Sequence, residues 1–306
     1  MSDRRPIGVF DSGVGGLTVL REILRRLPFE STTYLGDNAR APYGVRSDDE
    51  VRRFSMQALD ALVQRDVKAL VVACNTSASV ALADFRRRYD LPVLGVVRPG
   101  AAAAALATRN RRVGVIATPA TVRSRAYFNA IKDENPAIEV YEHATPALVP
   151  LVEAGRLAGP EVQEAVRRAV APLLGERNED GEFIFPLPPS ARIDTLLLGC
   201  THYPLLAGVL RDSVGDGVAI VDSATAAASS LAELLSVNAL EAPGTTRGTA
   251  ADAGITGHEA PDETATPPAH CQLTTGDVAA FRAVAERMFG GEFPEIERVD
   301  LEAGPV

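Results

Sequence analysis

The sequence contains no tryptophan, only two lysines, Lys68 and Lys132, and only three cysteines, Cys74, Cys200 and Cys271. Three cysteines cannot all pair within one chain, and a reducing compartment disfavours structural disulfides. No apolar run approaches the roughly 18 to 20 residues needed to span a bilayer, and the start of the chain lacks the apolar core of a signal peptide. We therefore expect a globular, cytoplasmic protein without membrane contact, in which free thiols need an explanation.

Acidic residues outnumber basic ones, with 40 Asp and Glu against 31 Lys and Arg, so the formal net charge is −9 at pH 7. Proteins that bind nucleic acid without regard to its sequence use clustered Lys and Arg to neutralise phosphates. Short basic runs such as residues 86–88 are typical of solvated helix faces. The histidines are scattered and no C-x-x-C occurs, so Cys200 and His202 are weak as a zinc site. We expect neither a nucleic-acid partner nor a bound metal.

Short apolar runs alternate with longer segments whose apolar residues recur at helical spacing. The runs lie at residues 6–10, 32–36, 69–73, 91–96, 112–117, 194–199 and 218–222. This alternation predicts parallel α/β sheets, which bind ligands at the carboxyl ends of their strands. Two runs end alike, as "ALVVACNTS" and "TLLLGCTHY". We therefore predict an α/β fold of two pseudo-symmetric lobes, each a mainly parallel sheet flanked by helices, with the active site in the cleft between them.

The predicted lobes are not continuous in sequence. The first combines residues 1–97 with about 229–306, and the second takes residues 98–228. Two segments break the α/β pattern: the acidic, Pro-rich stretch 175–192, and residues 237–270, which are rich in Ala, Gly, Thr and Pro. We interpret both as insertions and expect the second to be flexible.

Cys74 and Cys200 each follow a predicted strand, where the next helix is expected to begin. A helix N-terminus carries partial positive charge and unpaired N–H groups, which favour a thiolate over a thiol. The alternative is a buried thiol that serves as a small apolar residue, the common fate of a lone cysteine. Because two cysteines share this context, we favour reactive thiols.

A glycine-rich turn follows the first predicted strand in "GVFDSGVGGLTVL", residues 8–20. A dinucleotide-binding G-x-G-x-x-G would need a third glycine where Thr18 stands. The glycines within 13–16 could instead let backbone amides approach a carboxylate at the helix N-terminus. Asp11 and Ser12 could simply cap that helix, although Asp11 directly follows the strand and is expected to face the cleft.

Two opposed thiols are suited to the inversion of a carbon that bears an acidic hydrogen. One thiolate removes the proton from one face while one thiol returns a proton to the other, so each form regenerates the other. The usual cofactor for such chemistry on amino acids, pyridoxal phosphate, needs a Schiff-base lysine. Lys68 precedes its strand and Lys132 lies in a polar helix end, so neither is placed for this role. We expect no cofactor.

These segments resemble the glutamate racemases, cofactor-independent two-cysteine enzymes of bacterial peptidoglycan synthesis. The matching stretches are "GVFDSGVGGLTVL", "LGDNARAPYG", "VVACNTSASVAL", "LGVVRPG", "VGVIATPATVRSRAY", "LVPLVEAG", "DTLLLGCTHYPLL" and "VDSA". They cover most of the chain in the family's order. The resemblance implies that L-glutamate and D-glutamate are interconverted at Cα, that D-glutamate supplies the cell wall, and that the protein is a homodimer.

The resemblance also implies a role for each matching residue. Cys74 would exchange protons with D-glutamate and Cys200 with L-glutamate, assisted by Asp11, Glu153 and His202. Without the resemblance, Glu153 is indistinguishable from an exposed helix carboxylate. The implied substrate contacts are Asp11, Ser12, Tyr43, Gly44, Asn75, Thr76, Thr118, Thr121, Thr201 and His202.

Some features depart from the family, and alternatives stay open. Thr145 stands where relatives often have a cysteine, the two insertions are longer than usual, and the short start before Ile7 lacks the extension that some relatives use for activation by a cell-wall precursor. We expect no such activation. An aspartate or hydantoin racemase shares the two-cysteine plan, and from other classes the thiols could form a redox switch or the fold could serve as a regulatory binding protein.

Overall fold

The computed structural model describes residues 3–174, 192–243, 267–291, 293 and 295–301. Its strands are β1 (Ile7–Asp11), β2 (Thr32–Gly36), β3 (Ala69–Val72), β4 (Val93–Gly95), β5 (Arg112–Ala117), β6 (Glu139–Ala144), β7 (Thr195–Gly199), β8 (Ala219–Asp222), β9 (His270–Thr274) and β10 (Ile296–Arg298). Its α-helices are α1 (Leu17–Arg26), α2 (Asp48–Val63), α3 (Asn75–Arg88), α4 (Val97–Ala107), α5 (Pro119–Ser124), α6 (Ala126–Glu134), α7 (Leu148–Glu153), α8 (Pro160–Leu174), α9 (Ala207–Val214), α10 (Ser223–Val237) and α11 (Val278–Phe289). Short 3₁₀ helices lie at Asn38–Arg40, Tyr43–Val45 and Tyr203–Leu206.

The strands form two sheets in which every described pairing is parallel. The first sheet has the order β10-β9-β2-β1-β3-β4 and the second has the order β6-β5-β7-β8. All residues of β1, β2, β3 and β7 are buried, as expected for strands that helices cover on both faces. Continuous apolar runs such as "TLLLG" therefore form central strands.

The strand orders place a topological switch point in each sheet. From β1 the chain moves to β2 on one side and to β3 on the other, and from β5 it moves to β6 on one side and to β7 on the other. Ligands of open α/β sheets bind outside the carboxyl ends of strands at such points. The chain segments that leave β1, β3, β5 and β7 are therefore placed to form a site.

The predicted α/β fold with two mainly parallel sheets is confirmed. The strands at 32–36 and 112–117 have the predicted bounds, whereas β6 and β10 were not predicted. Strand β6, "EVYEHA", is an edge strand with charged residues and only partial burial, so its sequence lacks the apolar signal.

The lobe boundaries stay a prediction. The second sheet is formed within residues 112–222 and the first from segments on either side of it. The predicted boundary at 97/98 falls at the start of α4, and the boundary at 228/229 falls inside α10, which packs against both α1 and α4. The proposed insertions lie largely outside the described residues.

Among the helices of the described ranges, none is both long enough and apolar enough to cross a membrane.

Candidate active site

A pocket lies where the carboxyl ends of the two sheets face each other. It encloses about 580 Å³, part of which is open to solvent. All predicted site residues line it except Asp11 and Thr121. The first sheet contributes Ser12, Ala41, Pro42, Tyr43, Gly44, Val45, Cys74, Asn75 and Thr76, and the second contributes Thr118, Pro119, Pro146, Val149, Pro150, Glu153, Cys200, Thr201 and His202. Both thiols therefore contact one pocket from opposite halves of the molecule.

Cys74 leaves β3 and is the N-cap residue of α3, as predicted. Its side chain is buried, and its sulfur lies 3.3 Å from the Ser12 hydroxyl. Burial raises the pKa of the Cys74 thiol and the carboxylate of Asp11 raises it further, while hydrogen bonding with Ser12 and Ser77 offsets only part of this effect. These surroundings therefore favour the neutral thiol of Cys74, although it sits at a helix N-terminus.

Cys200 does not start an α-helix, so the prediction of matched helix starts is wrong for this residue. It is followed by a turn and the 3₁₀ helix Tyr203–Leu206, and α9 begins only at Ala207. The neighbouring polar group is His202, whose Nδ1 lies 3.6 Å from the Cys200 sulfur. A side-chain contact thus takes the place of the helix terminus found at Cys74.

His202 is held between a sulfur and a carboxylate. Its Nε2 lies 2.5 Å from Oε1 of Glu153, the last residue of α7. Burial alone would lower the pKa of His202, but the hydrogen bonds and charges of Cys200 and Glu153 outweigh it and raise the pKa well above the ordinary 6.5. At neutral pH the imidazolium therefore donates one hydrogen bond to the Cys200 sulfur and one to the Glu153 carboxylate. Glu153 acts here through His202, a contact that local sequence does not reveal.

The carboxylate of Asp11 points toward the second half, where Thr201 lies between it and the pocket, so Asp11 itself does not line the pocket. The residue is fully buried, and its Oδ1 accepts a hydrogen bond of 3.3 Å from the hydroxyl of Thr201. Burial raises the pKa of Asp11, while the positive charge of His202 and the amides of Gly16 and Gly13 offset part of the rise. Asp11 can therefore reach the pocket only through its neighbours.

The glycine-rich turn binds an internal carboxylate. The amide of Gly13 donates to Oδ2 of Asp11 at 3.0 Å, and the amide of Gly16 also hydrogen-bonds this carboxylate. A Cβ atom at Gly15 would lie 2.4 Å from the Thr201 hydroxyl, closer than real atoms approach. These glycines let the β1–α1 turn pack directly against the Cys200 segment. The helix α1 is capped by Gly16, so the alternative of side-chain capping by Asp11 or Ser12 is wrong.

Three threonine hydroxyls form a cluster at the junction of the two halves. Thr76 Oγ1 lies 2.9 Å from Thr118 Oγ1 and 3.4 Å from Thr121 Oγ1. Thr118 is also the N-cap residue of α5, and its hydroxyl accepts a hydrogen bond from the amide of Thr121. Hydroxyls and helix-start amides suit a carboxylate. Thr121 itself is fully buried behind Thr118.

The loop that carries Tyr43 and Gly44 closes another wall of the pocket. The Tyr43 hydroxyl donates a hydrogen bond to buried Asp37, which fixes the ring against the first sheet. A Cβ atom at Gly44 would lie 2.5 Å from Cβ of Thr118. Gly44 therefore permits close contact between the two halves.

Sequence reasoning missed several supporting residues. Tyr127 donates to the side-chain oxygen of Asn75, and Tyr34 donates to the backbone oxygen of Gly13 at 2.8 Å. Both tyrosines are fully buried. Tyr127 lies in the matching stretch "VGVIATPATVRSRAY", so a signal was present, but the spacing of the motif does not indicate a partner 52 residues away.

Within the ranges that the structure describes, no group of three or more His, Cys, Asp or Glu side chains is arranged to hold a metal ion. The pocket offers two thiols, an imidazolium paired with the Glu153 carboxylate, and several neutral hydrogen-bond donors. This set can move protons and bind an anionic substrate.

Comparison with known proteins agrees with this chemistry. A family model described as Asp/Glu/Hydantoin racemase matches residues 7–231. The chain belongs to the Asp/Glu/hydantoin racemase family. This racemase is 42% identical over 299 residues to the glutamate racemase of Geobacter metallireducens, with 98% of each chain covered.

Solved structures of relatives share the fold along nearly the whole chain. Glutamate racemase isoform RacE1 from Bacillus anthracis superimposes with a TM-score of 0.83 at 38% identity, covering 98% of both chains. Glutamate racemase from Francisella tularensis, solved in complex with D-glutamate, gives a TM-score of 0.80 at 31% identity and covers 98% of this chain and 99% of its own. The chain is thus an isomerase of the racemase class.

Proposed function

We propose that this racemase interconverts L-glutamate and D-glutamate by two-base proton transfer at Cα, with Cys74 and Cys200 as the two bases. The observation that carries the proposal is that both thiols line one pocket, each from a different sheet. A planar carbanion formed between them can be reprotonated on either face. No other pair of thiols among the described cysteines contacts a common pocket, since Cys271 lies in β9 at the far side of the first sheet.

The two thiols have different neighbours in the pocket. Cys74 holds its proton because burial and Asp11 raise the pKa of its thiol. Cys200 faces the imidazolium of His202 instead. In the L to D direction, the Cys200 sulfur takes the Cα proton while the Cys74 thiol delivers its proton to the opposite face. Solvent exchange then restores the starting forms.

The positions of the two lysines support a cofactor-independent reaction. The Nζ of Lys68 is buried in an ion pair with Glu30, 2.5 Å away, and the Nζ of Lys132 donates to the backbone oxygen of Pro136. Neither residue lines the pocket. A Schiff base at either lysine would require a different pocket.

Glutamate is proposed as the substrate on two grounds. The relatives from Geobacter metallireducens and Francisella tularensis are glutamate racemases, and the second was solved in complex with D-glutamate. The pocket offers the threonine cluster and the Asn75 amide as neutral donors for carboxylate oxygens.

We further propose that the protein is a cytoplasmic homodimer whose D-glutamate supplies peptidoglycan synthesis, as the resemblance implies.

The direct test is loss of optical activity from L-glutamate, followed by circular dichroism with reduced, chelator-treated protein and no added cofactor. We expect complete racemisation. A panel with L-aspartate and 5-substituted hydantoins separates the alternatives within the family. Absence of turnover on glutamate by active protein would refute the substrate assignment.

Variants of the three cysteines test the mechanism. Cys74→Ala and Cys200→Ala should each abolish racemisation, whereas the matched control Cys271→Ala should retain wild-type kcat and KM because its thiol lies outside the pocket. Turnover retained in either of the first two variants would contradict the two-base scheme. A reversible Cys74–Cys200 bond in a protein without racemase activity would instead favour the redox switch.

A further inference from the structure

Tyr127 joins the two halves of the molecule behind the pocket. It is the second residue of α6, and its side chain has no exposed surface. Its hydroxyl reaches across to the first half and donates to Oδ1 of Asn75, 2.5 Å away. Asn75 directly follows Cys74 and opens α3. Tyr127 does not line the pocket, so it can influence bound substrate only through such neighbours.

The ring of Tyr127 is fixed by close packing against the second half. A Cβ atom placed on Gly199 would lie 3.1 Å from the ring, and one placed on Gly100 would lie 3.5 Å from it. Gly199 directly precedes Cys200. One buried tyrosine therefore contacts the segments that carry both cysteines, and its hydroxyl has little freedom to move.

The amide of Asn75 has one satisfied and one unsatisfied end. Its oxygen accepts from Tyr127, whereas its Nδ2 is buried without a hydrogen-bond partner, and the residue lines the pocket. Buried donors without partners are uncommon in folded proteins and call for an explanation. A substrate carboxylate oxygen in the pocket would supply the missing acceptor.

The direction of the hydrogen bond at Tyr127 decides which end of the amide faces the pocket. A tyrosine hydroxyl can donate to an amide oxygen or accept from an amide nitrogen. Burial raises the pKa of Tyr127, and the nearby hydroxyl of Ser223, at the start of α10, opposes this rise as a hydrogen-bond donor would. When Ser223 donates to Tyr127, the tyrosine proton points to Asn75. The chain of donors then runs from Ser223 through Tyr127 to Oδ1 of Asn75.

We propose that Tyr127 is a positioning residue that holds the Asn75 amide with its NH₂ group toward the pocket, where it binds a carboxylate oxygen of the substrate. The proposal rests on the proposed racemisation of glutamate. It names a residue that this reaction needs although the residue does not contact the substrate. Without the tyrosine hydroxyl, the amide can rotate and present its oxygen to the carboxylate, which would repel it.

The first test is Tyr127→Phe, which keeps the ring and removes the hydroxyl. We expect KM for both glutamate enantiomers to rise about tenfold, the order of one lost hydrogen bond, with kcat changed less than about twofold. Tyr89→Phe is the matched control, because that partly buried hydroxyl donates to Asp60 away from the pocket. An unchanged KM in Tyr127→Phe would overturn the proposal.

A double-mutant cycle separates positioning from a general structural effect. If Tyr127 acts through Asn75, adding Tyr127→Phe to Asn75→Ala should raise KM no further than Asn75→Ala alone. Independent effects would multiply. Multiplied effects would overturn the proposal. Should Tyr127→Phe fold poorly, Ser223→Ala removes the donor that orients the hydroxyl and should raise KM in the same direction by a smaller factor.

A final readout does not depend on the substrate. In protein labelled with ¹⁵N-asparagine, the side-chain NH₂ signals of Asn75, assigned by their loss in Asn75→Asp, should form one set in the wild type. In Tyr127→Phe they should remain one averaged set but show a lower side-chain order parameter or exchange broadening, because rotation of a freed amide between both orientations is fast. An order parameter and line width unchanged from the wild type would overturn the proposal even if glutamate were not the substrate, whereas lack of turnover in the wild type alone would count against the proposed function.

Discussion

At the scale of single residues, the site keeps a buried carboxylate that is unfavourable for stability. Asp11 has no exposed surface, and burial raises its pKa above the ordinary 3.8. Two backbone amides and the hydroxyl of Thr201 bind the carboxylate, yet they do not replace the lost hydration in full. Retention of such a group is expected where it is needed for function.

The variant Asp11→Asn should therefore be more stable and less active than the wild type. A raised pKa in the folded state means that the stabilising contribution of the protonated carboxyl is complete below pH 3.8 and is lost as pH rises through the folded-state pKa. The gain in melting temperature should thus be present at pH 7 and shrink toward pH 4. Calorimetry of both proteins across this range measures it. A variant less stable than the wild type at pH 7 would contradict this account.

The same carboxylate controls the thiol of Cys74. In a Cys200→Ala, Cys271→Ala background, Cys74 is the only thiol, and its alkylation by iodoacetamide should still be accelerating above pH 9, because burial and Asp11 raise its pKa. Adding Asp11→Asn removes the negative charge and should shift the pH profile downward. Mass spectrometry of the alkylated protein follows both. Identical profiles with and without Asp11 would show that the charge has no influence.

A glycine in the β1–α1 turn gives a steric test. The variant Gly15→Ala places a Cβ atom 2.4 Å from the Thr201 hydroxyl and 2.6 Å from Nδ1 of His202, so the Cys200 segment must shift. A displacement of about 1 Å can lower activity about 100-fold, and we expect a loss of that order in kcat/KM. Gly208→Ala, where the new atom meets open space, is the control and should keep wild-type activity. Equal activity of the two variants would contradict the predicted packing.

At the scale of elements, a buried ion pair ties distant segments to the first sheet. Lys68, just before β3, lies 2.5 Å from Glu30, just before β2, and both side chains are buried. The lysine also donates to the backbone oxygen of Asp3, and the glutamate accepts from the amide of Ala242 beyond α10. The pair thus connects four chain segments near the amino ends of the strands, opposite the pocket.

Breaking this pair should affect stability rather than catalysis. Lys68→Met leaves Glu30 buried without its partner, and loss of one member of a buried pair typically costs about 3–5 kcal/mol in the free energy of unfolding. KM should not change, because the pair lies away from the pocket. Urea unfolding and steady-state kinetics measure both. Lys132→Met, a control at a partly buried lysine whose Nζ makes only an exposed hydrogen bond, should change stability by less than about 0.5 kcal/mol. Equal stability of the two variants would contradict the importance of the buried pair.

The central strands were predictable because strands that helices cover on both faces need mostly uncharged side chains, which the sequence shows directly. Runs such as "TTYLG" and "RVGVIA" are apolar on both faces and have clear ends. Strand β6 was not, since Glu139 and Glu142 obscure it. The burial of the Glu142 side chain beside Arg125 is a tertiary effect that no local pattern indicates.

The sequence predicted which residues form the candidate site, but not the tertiary contacts that hold them. Motifs identified the cysteines and their flanking residues, and most of these line the pocket. The motif "FDSG" does not reveal that the second half covers Asp11 through Thr201, nor does "GCTHY" reveal that Glu153 holds His202. These contacts depend on how the two halves are joined.

At the scale of the whole molecule, the pocket exists only where the two sheets meet. Gly44 packs on Thr118, Thr76 on Thr118 and Tyr127 on Asn75, and each of these contacts links the first half to the second. Any movement of one half against the other would change the separation of Cys74 and Cys200 at the same time. The central claim is therefore about geometry: two thiols on opposite faces of one substrate carbon.

Early-stage racemisation of L-glutamate in heavy water tests this claim most directly. Mass spectrometry of the separated enantiomers should find deuterium at Cα in the D-glutamate product and almost none in the remaining L-glutamate, because the base that removes the proton is not the acid that returns one. Equal early labelling of both enantiomers, or transfer of the original proton into the product, would show that a single group serves both faces and would contradict the assignment of Cys74 and Cys200.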